Sequence, residues 1–353
     1  MDFEVLDSIE RIAPEWDELA TRAAAPPFAR PGWFQVWWRA FGRGRLELLA
    51  ARRGARLVGV APLSRHRGSL LALANVHSPR FTLLSDDEEA ELGLAERLFD
   101  ENPLHTVFCY VEAGVDGVAT VERVARSRSR RLFTAPIQRS PYVELDGDWD
   151  GFEHSLSSKF VADLRRRRRA LEREGEVGVE VVEGAAAVNG TLSEVFALEP
   201  SGWKDERGTA ITASPATRRF YTELAEWAAA EGFLRLAFLR LDGRPLACQY
   251  ALEDAGGWYF LKGGIAPDAK RFAPGKLLAH AMIRRAYDSG LRWFEFLGAA
   301  EAWKSDWRPA HRDLVIQHSF PRGPVGLGWS SAVAAWRLGA LPLAKRILRR
   351  GGR

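Results

Sequence analysis

Cysteine is scarce in this chain, and long apolar runs are missing. Its 353 residues include two cysteines, Cys109 and Cys248, and both lie inside strand-like apolar runs. We therefore expect small buried side chains and neither a disulfide nor a metal pair. No apolar run approaches the length that crosses a membrane. The first five residues are partly acidic and no long apolar stretch follows them, so no signal peptide is indicated and a cytoplasmic protein is expected.

Histidine gives no catalytic or metal-binding pattern. Five of the seven histidines are scattered through predicted loops and helices, at His66, His77, His105, His154 and His280. The other two, His311 and His318, lack the spacing of metal ligands. No Ser-His-Asp or Cys-His arrangement stands out either. The sequence therefore offers no metal site and no catalytic triad.

The chain is long enough, and apolar enough at 46% hydrophobic residues, to bury one extended core or two. Within residues 16–41, a buried helix face is predicted by the spacing of five aromatic residues, Trp33, Phe34, Trp37, Trp38 and Phe41. A hairpin, a helix, a strand and a second helix are then expected, over residues 46–63, 92–99, 106–111 and 118–127. A turn-rich polar stretch follows at residues 145–155. We therefore expect domains at residues 1–150 and 151–321, and a basic tail at 322–353.

Residues 232–298 contain the most informative order of elements. In sequence they predict a strand (234–241), a tight turn at Asp242-Gly243, a return strand (245–252), an aromatic strand (258–262), a helix from Leu277 to about Ser289, and a fourth strand around Glu295. Asp-Gly supplies the left-handed dihedrals that a two-residue hairpin turn requires. Gly290 is placed to end the helix in a left-handed cap.

The turn before that helix has the features of an anion site. Free backbone N–H groups and the positive end of the helix dipole converge where a glycine-containing turn precedes a helix. The candidate phosphate contacts are Lys270, Arg271, Pro274, Gly275, Lys276 and Leu277. Their side-chain charges and backbone amides together would hold a pyrophosphate arm. The alternative is that Pro274 and Gly275 only start a surface helix.

These residues resemble the GNAT superfamily of acyltransferases, and within it the CelD-like acetyltransferases, which are related to the Fem aminoacyl transferases. The resemblance covers roughly residues 155–320 and is carried in order by Ser201-Gly202-Trp203-Lys204, Leu241-Asp242-Gly243-Arg244-Pro245, Lys262-Gly263-Gly264, Ala273-Pro274-Gly275, Phe294-Glu295-Phe296-Leu297-Gly298 and Lys304. It implies an α/β (α+β) fold of two tandem GNAT-like domains, each a mixed, largely antiparallel twisted sheet flanked by helices. The second domain would hold the better-formed acyl site.

The resemblance also implies a chemistry. An N-acyltransferase of this kind takes its acyl group from acetyl-CoA or another acyl-CoA, and the acceptor amine attacks directly without a metal. In the usual phosphate loop a further glycine stands where this chain has Ala273. Because glycine lets backbone approach a phosphate closely, this departure leaves room for a different acyl carrier.

Direct acyl transfer needs a proton acceptor, hydrogen-bond donors for the carbonyl oxygen and a proton for the leaving group. Glu295 is the candidate acceptor, because an unpaired charge within a central strand would be costly. Its alternative role is an ion pair with Arg292, Lys262 or Lys304. Tyr259 is a candidate leaving-group acid or a structural tyrosine. Lys304 completes the expected catalytic set, and the expected acceptor-binding residues are Trp203, Lys204, Tyr250, Lys262 and Trp303.

Two basic stretches lie outside this site. The predicted helix around Arg165–Arg169 would attract a polyanion such as the acceptor arm of a tRNA, or it is simply a solvated face balanced by nearby carboxylates. The tail from Arg322 onward has seven basic residues and no acidic one. It would either make weak contact with an anionic inner-membrane surface or pack on its own domain.

Three hypotheses follow for the function of the chain. The first is an acyl-CoA-dependent transferase that acts on a small-molecule or sugar amine. The second is a Fem-like transferase that uses aminoacyl-tRNA as the acyl donor. The third is a non-catalytic protein of surface polysaccharide synthesis.

Overall fold

The computed structural model describes residues 1–114, 116–199, 211, 214–324 and 326–328. Two of the expected acceptor-binding residues, Trp203 and Lys204, lie outside the described residues, and so does most of the basic tail. None of the helices in these ranges combines the length and the apolar character that crossing a bilayer requires.

The first half of the chain begins with strand β1 and ends with the long strand β7. Its strands are β1 (Asp2–Leu6), β2 (Arg45–Arg53), β3 (Arg56–His66), β4 (Ser69–Ala72), β5 (Leu84–Ser85), β6 (His105–Glu112) and β7 (Arg131–Glu144). Its helices are α1 (Ala13–Arg22), α2 (Pro31–Phe41), α3 (Glu88–Arg97) and α4 (Asp116–Ser127), with a 3-10 turn at Pro27–Ala29.

The second half begins with two helices. The helices are α5 (Trp149–Ser155), α6 (Ser158–Glu172), α7 (Gly184–Ala186), α8 (Leu192–Leu198), α9 (Pro215–Ala230) and α10 (Pro274–Asp288). The strands are β8 (Val177–Glu183), β9 (Leu234–Leu241), β10 (Arg244–Asp254), β11 (Gly257–Ile265), β12 (Trp293–Glu295) and β13 (Ala310–Phe320). A π-helical turn lies at Ala187–Thr191, and 3-10 helices lie at Pro267–Phe272 and Ala302–Trp307.

Local sequence signals place most of these elements correctly. The turn between β9 and β10 has φ values of 49° at Asp242 and 80° at Gly243, as an Asp-Gly hairpin requires. Gly290, with φ of 68°, follows α10 as expected. The predicted aromatic helix face is confirmed, because Trp33, Phe34, Trp37, Trp38 and Phe41 all lie on α2, and three of them are buried there. Prolines at residues 26, 27 and 31 interrupt the helical hydrogen bonds between α1 and α2.

The thirteen strands described here belong to one sheet. Its order is β1-β2-β3-β4-β6-β13-β7-β12-β11-β10-β9-β8, and β5 pairs with β3 beside this path. Pairing is antiparallel except between β4 and β6 in the first half and between β11 and β12 in the second. The mixed, largely antiparallel sheet flanked by helices that the resemblance implied is therefore confirmed, although the two halves share one sheet. Each half contains one parallel pair.

Strands are exchanged across the middle of the sheet. The last strand, β13, lies between β6 and β7 and pairs with both, although both belong to the first half. The end of β7, in turn, pairs with β12 of the second half at Tyr142–Glu144. Each half thus supplies a strand that pairs with strands of the other half. Backbone hydrogen bonds therefore run continuously across the junction.

Helices cover both faces of the second half. On one face of β10, Tyr250 packs with Tyr221 of α9 in a core that extends into the first half. On the other face, Ala247 belongs to a second core with Leu278 and Met282 of α10. This division follows from the alternation of side chains along a strand. α9 therefore covers one face of these strands, and α10 covers the other.

Candidate functional site

A cavity of about 730 Å³ opens where β11 and β12 separate. Its wall is built from both halves of the chain. The first half contributes Val76–Pro79, in the loop between β4 and β5, and Gln138 of β7. Expected site residues in the wall are Lys262, Lys270, Gly275, Lys276, Trp303 and Lys304. The sequence-predicted carrier and acceptor residues are therefore partly brought together in one place.

The cavity exists because the two parallel strands diverge. β11 pairs with β12 only over Gly257–Tyr259, and it then continues to Ile265 without this neighbour. The register between β10 and β11 also shifts, so that Leu261 is an extra bulged residue. Beyond Tyr259, the edge of β11 therefore faces the cavity. A strand edge offers N–H and C=O groups to an extended ligand, which can add to it as a further strand.

Two lobes of the cavity lie on opposite faces of the sheet. The α10 lobe is lined by Gln249, Gly263, Ile265, Gly275 and Leu278. The α9 lobe is lined by His77, Tyr221, Cys248, Lys262 and Gly264. Adjacent residues of β10 and of β11 point to different lobes because side chains alternate along each strand. A ligand that passes between β11 and β12 therefore reaches both faces.

The turn before α10 forms one end of the α10 lobe. The 3-10 helix Pro267–Phe272 leads into Ala273, which has a left-handed φ of 49°. The N–H groups of Lys276 and Leu277 both donate to the Ala273 carbonyl, at 2.9 and 3.2 Å. Two backbone donors of the expected phosphate site are thus already engaged. The Gly275 N–H, in the first turn of the helix, has no acceptor within the helix.

Lysine side chains supply most of the positive charge at this turn. Lys270 and Lys276 both belong to the cavity wall. The Lys276 ammonium lies 2.5 Å from a carboxylate oxygen of Asp306, which fixes it beside the first turn of α10. Two ammonium groups and a helix N-terminus together favour an anionic ligand at this end.

Three expected carrier residues lie outside the cavity wall. Pro274 and Leu277 are buried, and Leu277 packs into the core under α10. The Arg271 guanidinium is turned toward Glu174, at 3.1 Å. Of the three, Arg271 alone carries a charge, and it contributes to the field around the turn from outside the wall.

His77 is the central polar residue of the α9 lobe, and no sequence pattern indicated a role for it. Its ring stacks on Phe41, with centroids 5.4 Å apart, and its Nδ1 lies 3.4 Å from the Tyr221 hydroxyl. Burial, followed by the charge of Lys262, lowers the pKa of His77 to about 4. The imidazole is therefore neutral near pH 7. Burial also raises the pKa of Tyr221 well above its ordinary value, so that its hydroxyl stays protonated.

Lys262 brings a formal charge to the same lobe. Its ammonium lies 5.3 Å from the centre of the Tyr221 ring and 3.9 Å from Oε1 of Glu199. Glu199 is fully buried at the end of α8, where Oε2 accepts the backbone N–H of Ile211 at 2.7 Å. The α9 lobe thus combines a cation, a neutral imidazole and a phenol within one wall.

Lys304 holds the loop that follows β12. Its Nζ donates to the carbonyls of Leu297 and Ala299, at 2.8 and 2.9 Å, and lies 3.5 Å from Glu301. Leu297 has a left-handed φ of 53°, which is costly for a bulky side chain. Trp303 donates its Nε1–H to Glu301 at 2.9 Å. These contacts favour a positioning role for Lys304, which the sequence analysis placed in the expected catalytic set.

Glu295 does not line the cavity. Its Oε1 lies 2.8 Å from Arg80 and 3.1 Å from Arg312, and the residue is 1% exposed. Both guanidinium groups also approach Glu112 of β6, at 3.9 and 3.2 Å. The ion-pair alternative therefore has support, but with partners other than Arg292, Lys262 and Lys304. The Glu295 carboxylate is thus engaged in ion pairs at the junction between the halves.

The two expected tyrosines are also outside the cavity wall. Tyr259 is 3% exposed, and its ring meets Phe28 edge-on with centroids 5.2 Å apart. Burial, followed by the charge of Glu295, raises the pKa of Tyr259. Tyr250 is fully buried and donates its hydroxyl to the Tyr221 carbonyl at 3.1 Å. Both side chains have structural surroundings, and the phenol that does reach the cavity is Tyr221.

Most of the arginines on α6 have local partners. Arg165 pairs with Glu153, Arg166 and Arg167 with Asp163, and Arg168 with Glu172. Arg169 is exposed. Arg167 also donates to the Arg271 carbonyl at 2.5 Å, which ties α6 to the turn before α10. The charge of this helix is thus partly balanced by neighbouring carboxylates.

The comparisons with known proteins concern the domain in the second half and the fold of the chain. Residues 158–305 match the model of the GNAT acetyltransferase domain. Residues 158–305 form a GNAT domain. No curated protein matches the sequence. The fold is similar to that of FemX, with a TM-score of 0.59 and 12% identity over 91% of this chain and 98% of that chain.

Two further solved structures are similar to the chain. L-PGS from Bacillus licheniformis has a TM-score of 0.53 and 14% identity, over 91% of this chain and 97% of that chain. A C-terminal DUF2156 domain from Agrobacterium fabrum has a TM-score of 0.57 and 14% identity, over 93% of this chain and 97% of that chain. At such identities the likeness concerns the fold. It extends over both halves, while the family model matches the GNAT domain in the second.

Proposed function

We propose that this protein is an N-acyltransferase that moves an acyl group from acyl-CoA to the amine of a small molecule or sugar. The observation that carries the proposal is the cavity itself, which runs between the diverging strands of the GNAT domain and opens onto both faces of the sheet. A donor and an acceptor can enter from opposite faces and meet between β11 and β12. Holding both reactants in one geometry supplies much of the rate of such a reaction.

The α10 lobe fits an acyl carrier with phosphate groups. Lys270 and Lys276 would contact the phosphates, and the Gly275 N–H would add a backbone donor at the helix N-terminus. Because Lys276 and Leu277 have their N–H groups bound to Ala273, phosphate recognition depends more on side chains than the sequence suggested. The edge of β11 beyond Tyr259 would pair with the amides of the carrier's arm.

The α9 lobe would bind the acceptor amine in its neutral form. Burial and the charge of Lys262 lower the pKa of His77. Both effects would also lower the pKa of an amine bound beside His77. A neutral amine has the free electron pair that attack on a carbonyl requires. His77, being neutral, can accept a hydrogen bond from that amine. The lobe therefore favours the nucleophilic form without a carboxylate base.

The acyl thioester supplies an activated carbonyl with a good leaving group. Lys262 and the Tyr221 hydroxyl, on the acceptor side, are the donors that can orient an oxygen-rich or anionic acceptor. The loop held by Lys304 closes the cavity near Glu301 and Trp303. Its rigidity would keep water and reactants in fixed positions while the acyl group is transferred.

The proposal is tested by release of thiol from acetyl-CoA in the presence of amines. Amino acids, amino sugars and simple aliphatic amines are offered to the wild-type protein and to a Lys270→Gln/Lys276→Gln variant. We expect amine-dependent thiol release that falls at least tenfold in the variant, mainly through the KM for acetyl-CoA. Absence of acetyl-CoA binding and of thiol release in the wild type would refute the proposal.

A second candidate is a transferase that takes its acyl group from an aminoacyl-tRNA. The observation in its favour is the hydrogen bond from Arg167 to the Arg271 carbonyl, which places α6 beside the turn before α10. Arg165, Arg166 and Arg169 are exposed along the same helix. If this candidate is correct, a triple change of these three residues to Gln should weaken tRNA binding, and unchanged tRNA binding would refute it.

A further inference from the structure

One buried donor in the cavity wall has no acceptor within the described residues. Gln249, at the centre of β10, is 1% exposed, and its Nε2 makes no hydrogen bond there. Its Oε1 accepts the indole N–H of Trp258 at 3.2 Å. Buried amide donors in folded proteins are nearly always paired. A lone one beside a cavity therefore indicates a missing partner.

The orientation of this amide is determined by its neighbour. The Trp258 indole N–H can only donate, so it requires the oxygen of Gln249 on its side. The NH₂ group must then point the other way. Trp258 is not part of the cavity wall, whereas Gln249 is. The amide thus has its oxygen turned into the protein and its donor turned toward the α10 lobe.

The residues around Gln249 are small. Its direct cross-strand neighbours are Ala237 on β9 and Gly263 on β11. Ala247 and Ala251 precede and follow it on the same face of β10. Of these neighbours, Gly263 belongs to the cavity wall together with Gln249, and it carries no side chain that could separate the amide from a ligand.

We propose that Gln249 is a catalytic residue whose Nε2–H donates to the carbonyl oxygen of the acyl group. This inference rests on the proposed acyl transfer. As the amine nitrogen forms its bond to the carbonyl carbon, the oxygen gains negative charge. The carbon–sulfur bond then breaks, its electron pair leaves on sulfur, and the proton lost by the amine balances the thiolate. A fixed donor at the oxygen stabilises the intermediate between these steps.

The assignment predicts a separation between binding and rate. CoA itself has no acyl carbonyl, so its affinity should not depend on Gln249. The chemical step should depend on it strongly, since loss of one such donor slows comparable reactions by about a hundredfold or more. A structural role for Gln249 would instead change stability and binding together.

The test compares two variants that differ only at residue 249. Trp258→Phe removes the partner of Oε1 but keeps the donor, and Trp258→Phe/Gln249→Met removes both, so no buried group is left unpaired by the second change. Thermal unfolding checks that both variants fold. We expect CoA affinity within threefold of wild type in both variants, and kcat about a hundredfold lower than wild type in the double variant. The kcat of Trp258→Phe should lie between that of wild type and that of the double variant, because the amide keeps its donor but loses the neighbour that orients it.

Each other outcome has a defined meaning. Equal kcat in the two variants would overturn the role of Gln249, and so would a parallel loss of CoA affinity and kcat in the double variant alone. If the double variant does not fold, Gln249→Leu in the wild-type background is compared with wild type by the same two readouts. Failure of the wild type to bind CoA would refute the proposed function itself, and that result is obtained before any variant is measured.

Discussion

The Arg80 guanidinium lies 2.8 Å from the Glu295 carboxylate, and this contact joins the two halves of the chain. Arg80 belongs to the loop between β4 and β5, and Glu295 belongs to β12. Arg312 of β13 approaches the same carboxylate oxygen at 3.1 Å. The charge of a glutamate that lies between two phenylalanines in a buried strand is thus balanced by two cations from distant parts of the sequence.

Loss of either member of this pair should destabilise the protein. Arg80→Met leaves Glu295, which is 1% exposed, with one cation instead of two. Breaking a buried pair costs about 3 kcal/mol, and we expect a loss of that size in the free energy of unfolding. Denaturant titration of wild type and Arg80→Met measures it. An unchanged unfolding midpoint would contradict this role.

Glu295→Gln separates the structural role of this residue from the catalytic role that the sequence suggested. We expect lower stability but a kcat within a few-fold of wild type, because the carboxylate lies outside the cavity wall. Steady-state kinetics of thiol release at a temperature where the variant is folded give the answer. A large fall in kcat with normal folding and normal CoA affinity would restore Glu295 as the proton acceptor.

Ala273 has a left-handed φ of 49° at the start of α10, a conformation that suits glycine better. Ala273→Gly should raise the free energy of unfolding by about 0.5 to 1 kcal/mol. It should also tighten acetyl-CoA binding, since backbone could approach the phosphates more closely. Ala255, with the same φ of 49° in the turn between β10 and β11, provides the matched control. Ala255→Gly should give the gain in stability without the gain in affinity, and equal affinity changes in the two variants would count against the carrier site.

The stability of the protein should depend on pH through His77. Its pKa falls from 6.5 to about 4 on folding. Between these values the unfolded chain binds a proton that the folded protein does not. Stability is therefore fully present above pH 6.5 and is lost as the pH falls toward 4, by up to about 2 to 3 kcal/mol. The free energies of unfolding of wild type and His77→Leu, measured across this pH range, test the direction of the change. The same dependence of stability on pH in both proteins would contradict it.

Gly264 lies where β11 passes close to the end of α8. A Cβ at this position would come within 2.3 Å of the Leu198 carbonyl oxygen, and backbone cannot move aside easily. Gly264→Ala should therefore cost about 2 to 3 kcal/mol and distort the α9 lobe. Gly178 is exposed on β8 with nothing near its position, so Gly178→Ala should change stability by less than about 0.5 kcal/mol. Similar stabilities of the two variants would show that α8 is not packed against β11 as described.

The elements with local signals could be predicted from the sequence. The β9–β10 hairpin is determined by Asp242-Gly243 and by alternation on either side of it. α10 is determined by its proline, its apolar spacing and Gly290. The position of β13 has no such signal, because its partners β6 and β7 lie far away in sequence and nothing in residues 310–320 specifies them. The exchange of strands therefore became visible only in three dimensions.

The same limit applies to the site. Lys262, Lys270, Gly275 and Lys276 stand in or beside a recognisable motif, and all four lie in the cavity wall. His77 comes from a loop of the first half with no pattern around it, and no local feature of the sequence links it to Tyr221. Gln249 stands in a strand that reads as core. The role proposed for Gln249 depends on its hydrogen bond with Trp258 and on its place in the cavity wall. Both depend on the tertiary structure.

The central claim is that the turn before α10 and the split beside β11 form a site for an acyl-CoA. Calorimetric titration with acetyl-CoA of wild type, Gly275→Glu and Gly178→Glu tests it most directly. A carboxylate at residue 275 would stand at the helix N-terminus against Ile265, whereas one at residue 178 is exposed on the far edge of the sheet. Saturable binding to wild type and Gly178→Glu that is lost in Gly275→Glu is the predicted result. Equal binding by all three proteins, or no binding by wild type, would contradict the account.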